Sequence, residues 1–420
     1  MKIKLLFLIF FALLPSVMAG AAEDLSLSLG EAVTLALRDN REVLLQAEEL
    51  KKAKAKIAQA RADLMPSLTF TGSWLYNREF YDKDIVQTAT QFSLKQYLYK
   101  GGKTINTIKY NGYNFEIAQA ILDKTKLDLA FNAQKAFYAF LLASEFRDLN
   151  KKILDNTQAH LVALQERYEK GQSSESQVLK IKESLAGVQE AYESSLNQVE
   201  ASTALLKNLL YIDDKVQLSL QGEFQYEPRD FAFDEAFLKA MHSRTEIRQY
   251  EAQIKAAEKA IGIAKADARP SIYASWDYYN RSHTSFVAAR NWNDYNIIGL
   301  NISWPIFDGL LTKAKVDQAL VDLKQAQLTK EKTIKDIAFE LKNAYSGLKN
   351  AVAKLTGTES EIKVYADNLK VATQQHKNGL ASSLDLDDAN LSYAVSLFNK
   401  IQATYDYIIA KLGFEKATGG

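Results

Sequence analysis

The 420-residue sequence contains no cysteine. This absence excludes a disulfide framework and a lipid-bearing cysteine behind a signal peptide. Neither sign of charge is in excess, because 52 basic residues accompany 51 acidic ones. A chain without a basic surplus is not typical of nucleic-acid-binding proteins, so nucleic acid is not expected as a partner.

Long apolar runs are confined to the first residues of the chain. Residues 1–21 combine Lys2 and Lys4 with an apolar run and a group of small residues, which predicts a secretory signal peptide. Beyond them no stretch reaches the roughly 18 to 20 apolar residues of a membrane-spanning helix. If the mature protein crosses a membrane, we expect it to cross as β-strands.

Proline is also scarce, with five residues in the whole chain. Two long proline-free stretches carry apolar residues at helical spacing, as at Leu142, Phe146 and Leu149. This pattern predicts one long helix over 103–170 and a second over 311–377. At 1.5 Å per residue, each would be on the order of 100 Å long.

Each long helix is predicted to end at a glycine and to be followed by a returning helix. Gly171 and Gly379 can adopt the left-handed conformation that ends a helix. The returning helices, over 174–210 and 382–412, are expected to pack against the long helices as antiparallel coiled-coil partners.

Capping boxes are predicted where the returning helices start. Ser174 with Gln177, and Ser382 with Asp385, have the required three-residue spacing. Two shorter helices complete the set, at 30–64 and 234–268.

Four segments alternate apolar and polar residues with a period of two. They lie near 68–76, 92–98, 272–278 and 298–304. Each has about ten residues with aromatic side chains near its ends, which is typical of outer-membrane barrel strands. A half-buried sheet of a soluble protein is the alternative for any one segment, but four of them in two pairs favour a barrel. Extracellular loops are expected at 76–88 and 281–296.

Four strands are too few to close a barrel. An open sheet edge in lipid leaves unpaired backbone groups that cost several kcal/mol each, so further copies must complete the sheet. Two copies would give eight strands and an interior filled by side chains, whereas three would give twelve strands and room for a lumen. The strand pattern leaves both numbers open.

The chain is built from two similar halves. Residues 31–76 match residues 235–280 at an offset of 204, and residues 98–101 match residues 306–309 at an offset of 208. Both halves contain Ala-basic-Ala-Asp followed by Pro-Ser. This internal duplication predicts two repeats, each with a helix, two strands and a long helix hairpin. The predicted organisation is a first repeat at 22–210, a linker at 211–233 and a second repeat at 234–420.

In their order, duplication and spacing, these motifs resemble the TolC-like outer-membrane efflux family over essentially the whole mature chain. The resemblance is carried by residues 27–32, the repeated Ala-basic-Ala-Asp…Pro-Ser motif, 304–309 and, above all, 378–389. It implies an α+β membrane protein that forms a homotrimer. Its twelve-stranded outer-membrane barrel would continue into a long helical periplasmic tunnel, with an equatorial belt that includes 211–233. A periplasmic adaptor and an inner-membrane transporter are the implied partners.

The resemblance also assigns two acidic residues to the closed periplasmic end of the tunnel. They fall on Asp385 and Asp388, three residues apart on one helix face. In a trimer, roughly six such carboxylates would form a cation-attracting ring. Because Asp385 is also the acid of the predicted capping box, a structural role is the alternative for it.

The two helix-hairpin turns are expected to contact the adaptor, at Gly171, Gln172, Gly379 and Leu380. Members of the family are often held closed by an arginine two positions after the second glycine, linked to an acid in the other half. Ala381 and Gln177 occupy these positions here. We therefore expect closure to depend on helix packing and other contacts.

The predicted function is a passive exit duct in the cell outer membrane, serving a tripartite efflux pump or a type I secretion system. The alternative is a non-conducting structural protein that anchors a periplasmic coiled coil in the outer membrane. Polar strand faces favour the duct. The four histidines share no metal-ligand spacing and no catalytic constellation can be assigned. We therefore expect neither an enzyme nor a bound metal or cofactor.

Overall fold

A computed structural model describes residues 24–80, 83–224, 231–285 and 291–420, and the predicted signal peptide lies outside these ranges. The described strands are β1 Asp24–Ser28, β2 Ser67–Phe80, β3 Lys83–Lys100, β4 Gln217–Gln221, β5 Ser271–Ser285 and β6 Asn291–Ser303. The described helices are α1 Leu29–Asp39, α2 Arg41–Ala62, α3 Lys103–Glu169, α4 Glu175–Leu210, α5 Phe233–Ser243, α6 Thr245–Ala266, α7 Leu311–Lys377 and α8 Ser383–Ala417.

The described residues fall into two compact units. The first combines residues up to 34 with 136–223, and it contains β1, β4, α4 and part of α3. The second combines 35–135 with 224–420, and it contains the four longer strands together with α2, α6, α7 and α8. Within the described ranges, the element order helix, helix, strand, strand, long helix, returning helix occurs twice. This order agrees with the predicted duplication, which stays a prediction together with the limits of its repeats.

The four longer strands form one antiparallel sheet in the order β2-β3-β5-β6, which confirms the four predicted strands. The expectation of loops throughout 76–88 and 281–296 is wrong for the described residues, because Tyr76 pairs with Val86 and Arg281 pairs with Asn293. Residues 81–82 and 286–290 lie outside the described ranges. Hydrogen bonds between backbone groups extend these hairpins beyond the segments with clear apolar alternation. The strands β2 and β6 lie at the two edges of the sheet.

The long helices end close to where the sequence predicts. Both α3 and α7 have 67 residues, and both begin at the predicted residue. In the second unit, α7 packs along α8, with Leu341, Leu348 and Leu355 buried at seven-residue spacing. Side chains at this spacing lie on one side of a helix, so they form a continuous apolar seam.

The two shorter predicted helices are each divided in two, so the single helices expected at 30–64 and 234–268 are wrong. Asn40 interrupts the first with an extended backbone, and its side-chain oxygen accepts the backbone N–H of Glu42 at 2.9 Å. Arg244 interrupts the second, also with an extended backbone. Its buried guanidinium forms an ion pair with Glu340 at 2.5 Å.

A small parallel sheet in the first unit was not predicted. It pairs β1 with β4, joining Leu25 to Leu218 and Leu27 to Leu220. Each strand has only five residues, in which leucine alternates with polar residues. The predicted linker at 211–233 therefore contains a strand.

Candidate functional site

The turn after α7 reverses the chain at a glycine with a left-handed backbone. Gly379 has a φ of 72°, and its N–H donates to the carbonyl of His376 at 3.1 Å. The N–H of Leu380 donates to the carbonyl of Gln375 at 2.9 Å. This pair of bonds is a Schellman motif, which satisfies carbonyl groups at the end of a helix. Leu380 is 79% exposed, so an apolar side chain stands at the surface of the turn.

Asp385 completes the capping box that starts α8, as predicted. Its carboxylate accepts the hydroxyl of Ser382 at 2.7 Å and the N–H of Ser382 at 2.9 Å, while the hydroxyl accepts the N–H of Asp385 at 3.2 Å. The bond from the hydroxyl, followed by the bond from the N–H, holds the pKa of Asp385 below its ordinary value. The structural role of Asp385 is therefore established, whereas its pore role stays a prediction.

Asp388 lies one helical turn beyond Asp385 on the same face of α8. Both residues are exposed in the single chain. Asp387, between them in sequence, is half-buried and takes part in further interactions. Ala389 is buried and fixes the inner side of the helix at this level. At the start of α8, Asp385 and Asp388 are thus the two exposed carboxylates.

The turn after α3 has the same backbone. Gly171 has a φ of 71°, and its N–H donates to the carbonyl of Tyr168 at 2.9 Å. The N–H of Gln172 donates to the carbonyl of Arg167 at 2.8 Å, which makes this turn a Schellman motif too.

The capping box that starts α4 is also confirmed, but its side chains are not acidic. The side-chain oxygen of Gln177 accepts the backbone N–H of Ser174 at 3.0 Å. The backbone N–H of Gln177 donates to the Ser174 hydroxyl at 3.4 Å. Three residues further on, Lys180 is exposed where the second turn has Asp388. Lys180 was missed by sequence reasoning, although the offset of 208 between the two repeats identifies it.

A histidine bridges the second turn. The Nδ1 atom of His376 lies 3.2 Å from the carbonyl oxygen of Ala381, to which it donates when it carries the proton. Ala381 is the position at which the resemblance expects a locking arginine. No sequence pattern predicts this contact, because it depends on how the turn brings the two residues together.

One face of the four-stranded sheet is apolar and exposed. A single row crosses all four strands through the register pairs of Leu68, Leu94, Trp276 and Ile298. Their exposed fractions run from 37% at Leu94 to 83% at Ile298. Soluble monomers rarely expose contiguous apolar surfaces of this kind, so this face needs an apolar environment.

The other face of the sheet is polar and aromatic. The side-chain amide of Gln91 donates to a carboxylate oxygen of Asp277 and lies 3.0 Å from the hydroxyl of Tyr279. The Arg281 guanidinium lies 4.7 Å from the centre of the Tyr279 ring, which stacks on Tyr295 with the ring centres 5.0 Å apart. These groups can line water, which the apolar row on the opposite face cannot do.

The aspartates of the repeated Ala-basic-Ala-Asp motif form ion pairs with lysines at a strand end and near helix starts. Asp63 forms an ion pair with Lys100 at 3.0 Å. Asp267 pairs with Lys103 and with Lys315, at 2.8 Å in both cases. Hydrogen bonds from Lys103 and then from Lys315 hold the pKa of Asp267 below its ordinary value. The motif is therefore a structural joint between the sheet and the helices.

Among the residues that the structure describes, no helix has both the length and the apolar character needed to cross a membrane. The same ranges contain no group of three or more His, Cys, Asp or Glu residues that could hold a metal ion. The candidate functional features of these ranges are therefore surfaces. They are two charged turns and a sheet with one apolar and one polar face.

Comparisons with known proteins agree with this arrangement. The model of the family described as outer membrane efflux protein matches residues 32–210 and 238–420. The chain is 21% identical over 410 residues to the probable outer membrane lipoprotein SilC of Salmonella typhimurium, covering 92% of this chain and 84% of SilC. It is 22% identical over 417 residues to the probable efflux pump outer membrane protein TtgC of Pseudomonas putida, covering 94% of this chain and 83% of TtgC.

The fold is also that of a solved outer membrane channel. The structure superimposes on Campylobacter jejuni CmeC with a TM-score of 0.79 at 17% identity, covering 93% of this chain and 85% of CmeC. The fold, the match in both halves and the two-faced sheet lead to one assignment. The chain belongs to the outer membrane efflux protein family, whose members are outer membrane channels and not enzymes.

Proposed function

We propose that three copies of this chain form a twelve-stranded barrel that acts as the passive exit duct of a tripartite efflux pump or a type I secretion system. The observation that carries the proposal is the sheet of β2, β3, β5 and β6, which has two edge strands and one exposed apolar face. Unpaired strand edges are too costly in lipid, so copies of the sheet must pair edge to edge. The apolar face then meets lipid and the polar face encloses the lumen.

The polar face supports three copies over two. An eight-stranded barrel is filled by its own side chains, whereas twelve strands leave space at the centre. Gln91, Asp277 and Arg281 carry polar groups suited to water on that face. A hydrated lumen gives these side chains a function that a non-conducting anchor would not require.

The helix hairpins form the periplasmic part of the duct in this proposal. The buried residues of α7 at seven-residue spacing support a coiled coil with α8. The matching lengths of α3 and α7 support two similar hairpins in each copy. In three copies, six hairpins would surround the channel axis.

The hairpin turns contact the periplasmic adaptor, through which the duct is joined to an inner-membrane transporter. Leu380 and Gln172 are both exposed at their turns, so both are accessible to a partner. TtgC is named as the outer membrane protein of an efflux pump, which supports a pump as the system served. The α8 carboxylates Asp385 and Asp388 form a cation-attracting ring where substrate enters.

Assembly and conduction are tested on the purified protein. We expect light scattering in detergent to give the mass of three chains, and planar bilayers to show conductance. A stable monomer in the soluble periplasmic fraction would exclude the barrel. A trimer that inserts but conducts no ions would favour the anchored structural protein.

Adaptor contact is tested by cysteine crosslinking in cells. Because the chain has no cysteine of its own, a single cysteine at Gln172 or at Leu380 provides the only reactive thiol. We expect both to crosslink to the adaptor. The matched control is a cysteine at Leu320, which is 47% exposed in the first third of α7, near the sheet. Crosslinking at Leu320 but not at either turn would show that the adaptor contacts the hairpins near the sheet. That result would contradict the proposed contact at the turns.

A further inference from the structure

The two edges of the four-stranded sheet end in complementary surfaces. The strand β2 begins at Ser67 and β6 ends at Ser303, and the register through β3 and β5 places both residues at the same end of the sheet. Beyond Ser303 comes the segment 304–311, which we call the junction segment. Five of its eight residues have exposed apolar side chains: Trp304, Ile306, Phe307, Leu310 and Leu311.

At the β2 edge of the same sheet, α2 and α3 enclose an open groove. Its volume is about 580 Å³, and we call it the α2 groove. Its walls are mostly apolar, with two basic residues: Lys54, Ile57, Ala58, Arg61, Ala62, Met65 and Phe115. Met65 is 69% exposed and lies two residues before the start of β2. The single chain therefore has an uncovered apolar groove at one edge and an uncovered apolar segment at the other.

The chain makes the corresponding contact once within itself. Gly101, which corresponds in sequence to Gly309 of the junction segment, is buried. A Cβ at Gly101 would lie 2.7 Å from the carbonyl oxygen of Ala266 and 2.8 Å from the Cβ of Arg269. The guanidinium of Arg269 donates to the carbonyl of Gly101 at 3.2 Å. The end of β3 thus fits closely against the segment that precedes β5.

The second half of the chain has the same parts but lacks this contact. Gly309 has nearly the same left-handed backbone as Gly101, with a φ of 66° against 61°. It is nevertheless exposed, and a Cβ there would meet nothing within 4 Å. The residues that correspond to Ala266 and Arg269 are Ala62 and Met65, which line the α2 groove.

The sizes of a second pair of residues also match. Within the chain, Asn106 lies so close to Gly262 that a Cβ on the glycine would be 2.8 Å from the asparagine side chain. The corresponding residues are Ala314 and Ala58. Asn106 and Gly262, which meet within one chain, thus correspond to two alanines. Their small side chains leave room for the same close approach between two copies.

We propose that the junction segment of one protomer docks into the α2 groove of a second copy of this chain. This inference rests on the proposed trimer and specifies its contact below the barrel. Ile306 and Phe307 fill the groove against Met65 and Phe115, and Gly309 approaches the carbonyl of Ala62. Since β2 starts and β6 ends at this level, the two edges meet in the antiparallel sense of the other strand pairs.

A disulfide between copies tests the contact directly. The variant Phe307→Cys with Met65→Cys has only these two thiols, because the chain lacks cysteine. Under mild oxidation we expect covalent dimers and trimers on denaturing gels. Each single variant alone should stay uncrosslinked, and a mixture of the two tagged single variants should give only mixed dimers.

The matched control moves the second thiol around the helix. Leu45 is 65% exposed, close to the exposure of Met65, and lies about half a turn around α2 from the groove residue Lys54 at 100° per residue. Phe307→Cys with Leu45→Cys should therefore give no product. A second measurement uses Ile306→Ser with Phe307→Ser, which should lower the temperature at which trimers dissociate in SDS, whereas Leu45→Ser should not.

The outcomes separate this inference from the proposed function. A chain that remains monomeric by light scattering contradicts the trimer itself. Trimers that form normally but give no crosslink at Met65, or equal crosslinking at Leu45, overturn the docking and leave the duct proposal standing. The same holds if phospholipid found in purified trimers is lost when Met65 is changed, because lipid would then occupy the groove.

Discussion

The turn at Gly171 and the turn at Gly379 use the same hydrogen bonds but carry different charges. Both have a left-handed glycine, a Schellman motif and a capping box. After the first turn come Gln177 and Lys180, and at the corresponding positions after the second come Asp385 and Asp388. The backbone of a turn therefore depends on its glycine and its capping serine. The next helical turn is free to differ, which allows one hairpin to specialise.

The largest effect is expected from removing the charge at the second turn. Asp385→Asn with Asp388→Asn should weaken block by a trivalent cation applied from the periplasmic side on the order of tenfold, because a ring of like charges concentrates counter-ions. Single-channel recording in planar bilayers measures the block. Lys180→Gln is the matched control at the first turn and should leave block unweakened. Unchanged block in an intact double-variant trimer would leave both aspartates with capping and solvation alone.

Replacing the glycines is expected to destabilise the two turns equally. Gly171→Ala and Gly379→Ala should each destabilise their turn by about 1–2 kcal/mol, because an L-residue is strained in the left-handed region. The added Cβ meets nothing within 4 Å at either position, so sterics do not distinguish the two turns. Hydrogen exchange followed by mass spectrometry on the turn peptides measures the local opening. A much larger loss at Gly379 would mean that the second turn is held by more than its backbone.

Replacing the capping serines should destabilise the helix starts slightly less than the glycine substitutions destabilise the turns. Ser174→Ala and Ser382→Ala each remove the side-chain acceptor at the helix start, a change that typically costs about 1 kcal/mol. Exchange of the first-turn amides of α4 and α8 reports the loss. Ser176→Ala provides the control, since Ser176 is exposed in the same turn but is not the cap. An equal response at Ser176 would show that helix propensity, and not capping, is being measured.

The smallest effect is a difference in pH dependence. Because the pKa of Asp385 is lowered in the folded chain, its capping bonds stabilise the turn fully above the ordinary value of 3.8. That contribution is lost as the pH falls through the lowered value. Gln177 does not titrate, so the first turn should keep its cap over the same range. Exchange rates corrected for intrinsic pH effects test this, and Asp385→Gln should remove the difference between the turns.

The sequence predicts best what depends on neighbours in the chain. The ends of α3 and α7 are marked by Gly171 and Gly379, and the capping boxes by residues three apart, so local patterns are sufficient. At the second break, the buried Arg244 pairs with Glu340, which lies 96 residues away. No local pattern signals such a partner. At the first break, the cap formed by the Asn40 side chain depends on the extended backbone at that residue, which periodicity does not predict.

The residues of the candidate site also differ in how well the sequence predicts their roles. The capping role of Asp385 could be predicted from Ser382 three residues earlier, and the structure confirms it. The contact of His376 with Ala381 required the turn geometry. The pore roles of Asp385 and Asp388 depend on other copies of the chain, so neither the sequence nor one folded chain determines them.

The pairing of β1 with β4 sets an order of events during folding. A chain synthesised from its N-terminus contains β1 first, but the partner strand β4 follows only after the whole first hairpin of α3 and α4. Strands so distant in sequence gain their backbone bonds only after the entropy of closing the intervening loop has been lost. Once the hairpin has formed, less flexible chain separates β1 from β4. We therefore expect the small sheet to close late, after the first hairpin has formed.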